Sequence, residues 1–314
     1  MSQVKDRPLV SVVLPVFNGE KYIGETLESI EAQTYRPMEL IVVDDGSTDD
    51  TMKIVDAFSL QKTVIRQENK GVGDARNVAI RAARGKYIAF NDYDDLWMRD
   101  KTSKQVDLFE SEKDIDVVYA GAMPFFDSGK KRFQKDKHEL SLKLTDENAF
   151  ALMAQKNLIP ITAAMAEKES LIRAGLFDPT FRTCGDYEIW LRMAAMNMRF
   201  RYVPEVLTLG RKHAGNISGH CEIMHQNRVR AIRKTFANPE LCPIKKKQEK
   251  NALANVYAMG AHTFFSANRY QDFWQNANRA LVSDLRVITP KFISRYLRSF
   301  VFLSVSKLKT TSLF

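Results

Sequence analysis

The chain has 314 residues, a formal net charge of +9, 45% hydrophobic residues and 27% charged residues. Its length exceeds that of a usual single core and predicts one large domain with an appendage, while the composition excludes a disordered or collagen-like chain. The positive balance favours an anionic partner, whether nucleic acid, nucleotide or phospholipid surface, without choosing among them.

The cysteines, Cys184, Cys221 and Cys242, are odd in number and never in C-x-x-C spacing, which argues against a disulfide framework or a thiolate zinc site and for a reducing compartment. Met1 to Pro8 lead straight into a strand with no apolar export segment, and no run approaches the ~18 apolar residues of a membrane span. A cytoplasmic protein is expected, soluble or peripheral at the inner face of the cell membrane.

In chain order, the β-branched run from Leu9 to Val16 predicts a strand that gives way to a loop at Asn18-Gly19. Tyr22, Ile23, Leu27 and Ile30 recur at helical spacing, Tyr35-Arg36-Pro37 breaks the chain, and Glu39 to Val43 forms a second strand. That strand ends in Asp44-Asp45-Gly46-Ser47-Thr48-Asp49, where Ser47 or Thr48 is expected to cap a helix carrying Met52, Ile54, Val55 and Phe58. Thr63 to Arg66 is a third strand, and Gly71-Val72-Gly73-Asp74-Ala75-Arg76-Asn77 opens a helix to about Arg84. This alternation is that of a doubly wound α/β sheet. Gly71 and Gly73 superficially suggest a dinucleotide phosphate loop, but Arg76 replaces its third glycine and the motif opens the third crossover, not the first.

Lys86 to Phe90 reads as an interior strand, and Asp92-Tyr93-Asp94-Asp95 stands at its carboxyl end. Ligands bind at this edge of an open α/β sheet, and Asp92 and Asp94 are able to turn toward one oxygen-liganded ion such as Mn²⁺ or Mg²⁺. The same residues equally make a solvated acidic turn capping the next helix. Leu96-Trp97-Met98 leads into that helix, from Asp100 to Glu112, and Ile115 to Ala120 is another strand. A hairpin turn at Asp127-Ser128-Gly129-Lys130, a polar loop to Lys143 and a helix from Asp146 to Lys156 follow. Ile159 to Met165 is assigned to a strand near the sheet edge because it contains Pro160.

After a turn at Phe177-Asp178-Pro179, Tyr187, Trp190, Leu191 and Ala194 define a helix with one buried face and Asp186 in its first turn. Asp186 is either an N-terminal cap or a functional carboxylate at the helix mouth. The last strand, Arg201 to Leu207, precedes a loop carrying Arg211, Lys212, His213, Asn216 and Ser218, which is rich in anion donors and also readable as a solvated basic loop. From His220 only helices are expected, from His220 to Phe236, Lys245 to Ala267, Tyr270 to Ser283 and near Lys291 to Ser306. The last sets Ile293, Leu297, Phe300 and Val301 against Lys291, Arg295 and Arg298, with Lys307 and Lys309 beyond and no acidic residue after Arg286. Such a helix suits an anionic membrane surface through residues 286–314, or an ordinary packed position with its basic face in water.

Pro15-Val16-Phe17-Asn18, the acidic run at Asp44, the Gly71 to Asn77 motif, Asp92-Tyr93-Asp94-Asp95 and Gly185-Asp186-Tyr187-Glu188-Ile189-Trp190-Leu191-Arg192 together closely resemble the ordered motifs of family 2 inverting glycosyltransferases of the GT-A fold. The resemblance covers about residues 8 to 218 and implies a mixed sheet whose first half is a Rossmann-like nucleotide-binding unit. A GT-A domain over residues 1–219 and a C-terminal α-helical region over 220–314 are therefore expected.

The same resemblance implies a nucleoside diphosphate sugar donor, commonly a UDP-sugar, with Pro15, Val16, Asn18, Asp45, Arg76, Asp92, Arg211 and His213 around the nucleotide. It implies Mn²⁺ or Mg²⁺ at Asp92 and Asp94, and Asp186 as the base that deprotonates the acceptor. A lipid-linked or surface glycan in polysaccharide biosynthesis is the acceptor it suggests. Two positions depart from the family pattern: Gly185 stands where Glu is usual, and Asn91 where Leu is usual.

Rival readings are a catalytically degenerate nucleotide-sugar or anion binder, which the presence of Asp94 and Asp186 disfavours, and a nucleotidyltransferase, which lacks its glycine-rich triphosphate loop here. No nucleic-acid partner is expected, since no recognised nucleic-acid-binding motif is present.

Overall fold

The computed structural model describes residues 7–126, 132–133, 143–213, 215–216 and 221–299. The chain divides into two compact units, residues 1–149 with 157–216, and residues 150–156 with 217–314.

The first unit opens with β1 (Val10–Val16), α1 (Ile23–Glu31), β2 (Met38–Asp44), α2 (Thr51–Ala57), β3 (Lys62–Arg66), α3 (Val72–Ala82) and β4 (Tyr87–Phe90). These strands pair in parallel in the order β3-β2-β1-β4. Every residue of β1 and β4 is buried, which is why both read as continuous apolar runs rather than alternating ones. Leu14, Ile23, Leu27, Leu40, Val42, Trp97, Val106 and Phe109 belong to one core cluster, each buried aliphatic side chain contributing about 1.5–3 kcal/mol.

The chain continues through β5 (Leu96–Trp97), α4 (Lys101–Ser111), β6 (Val117–Phe126), β7 (Arg132–Phe133), α5 (Ala149–Met153), β8 (Ala164–Glu167), α6 (Lys168–Arg173), α7 (Gly185–Ala195) and β9 (Phe200–Lys212). The complete order is β3-β2-β1-β4-β8-β6-β9-β5, with β7 on β6. The second half is mixed: β8 runs antiparallel to β4 and β6, and β9 runs parallel to β6.

Several local expectations are corrected here. The strand after Pro160 is not at the edge but between β4 and β6, because the proline precedes it, in the approach to a 3₁₀ turn at Ile161–Ala163, and withholds no ladder N–H. Leu96–Trp97 does not simply lead into a helix; it pairs with Leu209 and Thr208 of β9. β9 does not end at Leu207, so Arg211 and Lys212 lie in a strand and not in a loop. Its pairing to β6 is irregular around Gly121, where Pro204 and Glu205 are skipped and an added Cβ at Gly121 would lie 2.9 Å from the Glu205 carbonyl oxygen.

Ser47 and Thr48 do not cap α2; its N-cap is Asp50, and the two residues bond to Asn18 instead. α5 is shorter than predicted, β7 occupies part of the expected loop, and the predicted turn at Asp127 to Lys130 lies outside the described residues.

The second unit is helical, with α8 (Cys221–Phe236), α9 (Pro243–Lys246), α10 (Glu249–Ser266), α11 (Tyr270–Ser283) and a helix over residues 290–299. The single helix expected from Lys245 to Ala267 is thus two. Tyr257, Ala261, Phe264, Phe273, Ala277 and Phe292 form its core. Ile293 and Leu297 are exposed, whereas Phe300, Val301, Lys307 and Lys309 lie outside the described residues. No helix among the described residues is long and apolar enough to cross a membrane.

Candidate active site

The carboxyl ends of β1, β2 and β4 open into three loops that brace one another. After β1, the Asn18 amide donates to Ser47 Oγ at 3.0 Å, and Asn18 Oδ1 accepts from the Thr48 amide at 2.9 Å. Gly19 N donates to Thr51 Oγ1 at 2.7 Å. Pro15 and Val16 lie in register with Val43 and Asp44, and the Val16 carbonyl accepts from Asp45 N. Asp45 is buried, and its carboxylate accepts from Gln67 Nε2, Lys70 N and Gly71 N at 2.8–2.9 Å. The Gly71 turn therefore presents that amide to Asp45, with Gly71 at φ +93° capping α3.

Gly19 faces the acidic loop so closely that a Cβ there would fall 2.7 Å from the Tyr93 ring and 2.8 Å from Val16 Cγ2. Gly19→Ala is expected to displace Tyr93 and destabilise the first unit by about 1–3 kcal/mol, measurable by urea unfolding. An unchanged midpoint would show that the Tyr93 ring yields at no cost.

The acidic residues after β4 take separate partners. Asp92 Oδ1 accepts from the buried Arg76 guanidinium at 2.7 Å. Asp94 Oδ2 lies 2.9 Å from His213 Nε2 and 3.2 Å from Asn216 Nδ2. Gly215 N donates to His213 Nδ1, which leaves Nε2 as the protonated nitrogen that donates to Asp94. Asp95 Oδ1 accepts from Arg211 N, and Thr26 of α1 directs its hydroxyl to the carbonyls of Tyr93 and Asp95.

Arg211 is buried between the rings of Tyr22 and Phe125, donates to the Asp94 carbonyl and reaches Glu25. It clasps the acidic loop from beneath instead of standing in water.

Burial and the Asp92 charge raise the Asp94 carboxyl above its ordinary range, against the opposing pull of His213. Burial, Asp94 and Asp92 raise Asp95 further, and burial with the same two charges pushes the Tyr93 phenol up to about 12. Burial is the largest cause in all three, and the mutual repulsion of the neighbouring carboxylates adds to it. Arg76 Nε and Asn91 Nδ2 are buried without hydrogen-bond partners among the described residues, so unused donors lie beside Asp92.

Asp186 is not the cap of α7. That position is Cys184, in the left-handed region at φ +61°, and Asp186 follows within the first turn. Its carboxylate accepts from Asn157 Nδ2 at 2.8 Å and from the Tyr187 amide. Burial raises its pKa, the Arg76 charge lowers it and the Asp92 charge raises it again, so these three groups share one field. Asn77 of α3 closes this arrangement, exchanging two hydrogen bonds with the backbone of Phe177 in the turn before α7. Asn157 lies in no motif that sequence reading singles out, and Gly19 and Asn77, though inside motifs, were given no role of their own, because each acts through a partner far along the chain.

The residues fit a divalent ion shared with a ligand. Among the described residues no three His, Cys, Asp or Glu side chains converge into a cage of their own. One or two carboxylates, here Asp94 with Asp92 two residues before it, form the donor set that binds such ions together with phosphate oxygens.

The family model described as Glycosyl transferase family 2 matches residues 11–175. Over 229 residues the chain is 31% identical to the Escherichia coli UDP-Glc:alpha-D-GlcNAc-diphosphoundecaprenol beta-1,3-glucosyltransferase WfaP, covering 70% of this chain and 85% of that protein. Uncharacterized Rickettsia glycosyltransferases are 28–31% identical, and the matches span from 27% to 67% of their lengths.

Among solved structures, S. aureus TarS 1–349 in complex with UDP-GlcNAc has a TM-score of 0.66 at 22% identity, covering 87% of this chain and 81% of that one. The Pyrobaculum calidifontis mannosyltransferase PcManGT, in complex with GDP-Man and Mn²⁺, has a TM-score of 0.64 at 21% identity, covering 98% and 83%. The fold is the GT-A type, with a mixed sheet followed by a helical region.

Proposed function

The chain belongs to glycosyl transferase family 2, and from that premise we propose that it moves a sugar from a UDP-sugar to a hydroxyl of a lipid-linked glycan, inverting the anomeric centre. The observation that carries this reading is the common field of Asp186, Arg76 and Asp92 beside the acidic loop. It brings a candidate base and an anion-binding arginine to one site. The donor assignment draws on the UDP-Glc named for the E. coli relative and the UDP-GlcNAc bound in TarS; the acceptor class draws on the diphosphoundecaprenol in the relative's name.

In this reading, Asp45 and the braced loops of Pro15, Val16 and Asn18 form the floor for the nucleotide. Arg76 holds Asp92 toward the ribose and diphosphate, and His213 Nε2–H, now bonded to Asp94, is positioned to donate to a phosphate oxygen. Arg211 acts indirectly, its guanidinium fixing the Asp94 carbonyl and its main-chain N–H the Asp95 carboxylate. Mn²⁺ or Mg²⁺ held by Asp94, with Asp92 adjacent, would neutralise charge on the departing diphosphate. Asp186 takes the proton of the acceptor hydroxyl as its oxygen attacks the anomeric carbon opposite the leaving group. The bond to the phosphate oxygen breaks with its electron pair on UDP, and an α-linked donor gives a β-linked product.

A place in polysaccharide biosynthesis at the inner face of the membrane accords with such an acceptor and with exposed Ile293 and Leu297 in the last described helix.

Thermal unfolding with UDP, GDP and their sugar conjugates, each with and without Mn²⁺, tests the donor. Uridine nucleotides with Mn²⁺ are expected to stabilise the protein by about 2.7 kcal/mol at 100 times their dissociation constant. Stabilisation by guanosine nucleotides alone would overturn the UDP assignment.

A further inference from the structure

The helical unit holds a cavity of about 690 Å³ that the sugar-transfer reading does not use. Arg230, Arg233 and Lys234 of α8 line it together with Arg279 of α11, and no Asp or Glu is among its lining residues. Of the carboxylates in the helical unit, Glu222 and Asp272 hold Arg269, and Asp284 holds Arg286.

The wall is fixed in place before any ligand arrives. Arg233 donates to the hydroxyl of buried Tyr257 at 3.1 Å, and the Arg279 guanidinium lies 5.8 Å from the centre of the same ring. Buried His225, also on the wall, has an Nδ1 without a hydrogen-bond partner among the described residues. Burial lowers its pKa, a hydrogen bond with Asn276 opposes this, and the charges of Arg228 and Arg279 lower it further. Gly260, in the middle of α10, is the residue that admits His225: a Cβ there would lie 2.3 Å from Nδ1. A glycine inside a helix costs about 1 kcal/mol relative to alanine, so the helix gives up stability to seat this ring.

We propose that this cavity is a second anion site, which binds a phosphate or diphosphate ester through Arg233 and Arg279, with Arg230 and Lys234 adding charge. Paired guanidinium groups on a rigid wall suit phosphate oxygens, which accept several charge-assisted hydrogen bonds at once. The ester is either a soluble phosphate or the headgroup of an anionic lipid, and the site is separate from the acidic loop that takes the donor.

Calorimetric titration of the full chain with inorganic pyrophosphate, in chelator, tests the site. Arg233→Gln with Arg279→Gln is expected to weaken binding about tenfold or more, and the charge-preserving Arg233→Lys with Arg279→Lys to weaken it less, keeping the charge but not the paired donors. Arg76→Gln, in the donor site, should leave it unchanged. Flotation with vesicles of equal parts phosphatidylglycerol and phosphatidylcholine separates the sources. Vesicle recovery that is lost in the glutamine pair assigns a lipid headgroup, and pyrophosphate binding without such recovery assigns a soluble phosphate. No binding of either probe, equal binding by the glutamine pair, or loss of pyrophosphate binding in Arg76→Gln would overturn the proposal.

Discussion

Asp186→Asn is expected to lower turnover by a factor of roughly 10² to 10⁴ while leaving UDP affinity nearly intact. The carboxylate is half-buried, held by Asn157 and the Tyr187 amide, and removing its charge removes the proton acceptor without removing its neighbours. Two further readouts distinguish a base from a structural residue. Because burial raises the pKa of Asp186, kcat/KM should fall with decreasing pH already above the usual carboxylate range; Asn157→Ala, which deletes a hydrogen bond that lowers this pKa, should move the fall to higher pH. The stability effect has the opposite sign to the activity effect. A folded-state pKa above the unfolded one means that the ionised group opposes folding at neutral pH, so Asp186→Asn should be more stable there. The difference should vanish below the unfolded pKa, where both states are protonated. A loss of UDP binding as large as the loss of turnover would instead make Asp186 a donor ligand.

For Asp94→Asn, loss of metal-dependent transfer by about 10³-fold or more is expected, since a bound divalent ion supplies several kcal/mol of charge stabilisation at the leaving group. In the native protein Mn²⁺ should tighten UDP and UDP should tighten Mn²⁺ by the same factor, and the variant should show no such coupling. The variant should remain folded and become more stable without metal, because burial and the Asp92 charge already raise the Asp94 pKa and Asp94 in turn raises that of Asp95. Titrating both ligands by calorimetry checks this; full activity of the variant in chelator would rule out Asp94 as the metal ligand.

Both substitutions exchange activity for stability, and Asn91 belongs to the same pattern. It is fully buried beside the acidic loop, with Nδ2 lacking a partner among the described residues. A buried donor left unpaired costs about 1–3 kcal/mol, a cost that an apolar side chain such as leucine would not carry there.

By itself the sequence determined the parallel half of the sheet and the position of its acidic loop. Val10–Val16, Met38–Asp44 and Tyr87–Phe90 are legible because strands buried on both faces must be apolar throughout, and the acidic and glycine motifs mark where those runs end. The carboxylates were legible for the same reason, whereas Arg76 and His213 entered the candidate site only through the family resemblance.

Their partners were decided only by the tertiary structure. Hydrophobic pattern reports whether a segment is buried and says nothing about its neighbour, so β8 between β4 and β6, and β5 against β9, could not be read from it. Arg211 looks like a solvated cation in sequence, yet it is enclosed by Tyr22 and Phe125, which lie 189 and 86 positions earlier in the chain. Asp92 and Asp94 stand two residues apart, but one turns to Arg76 and the other to His213. Asn157 reaches Asp186 across 29 positions, and Asn77 holds the turn before α7 across 100. Each of these choices depends on which distant side chain fills the remaining space and satisfies the remaining polar atom, and packing of the whole unit supplies that information.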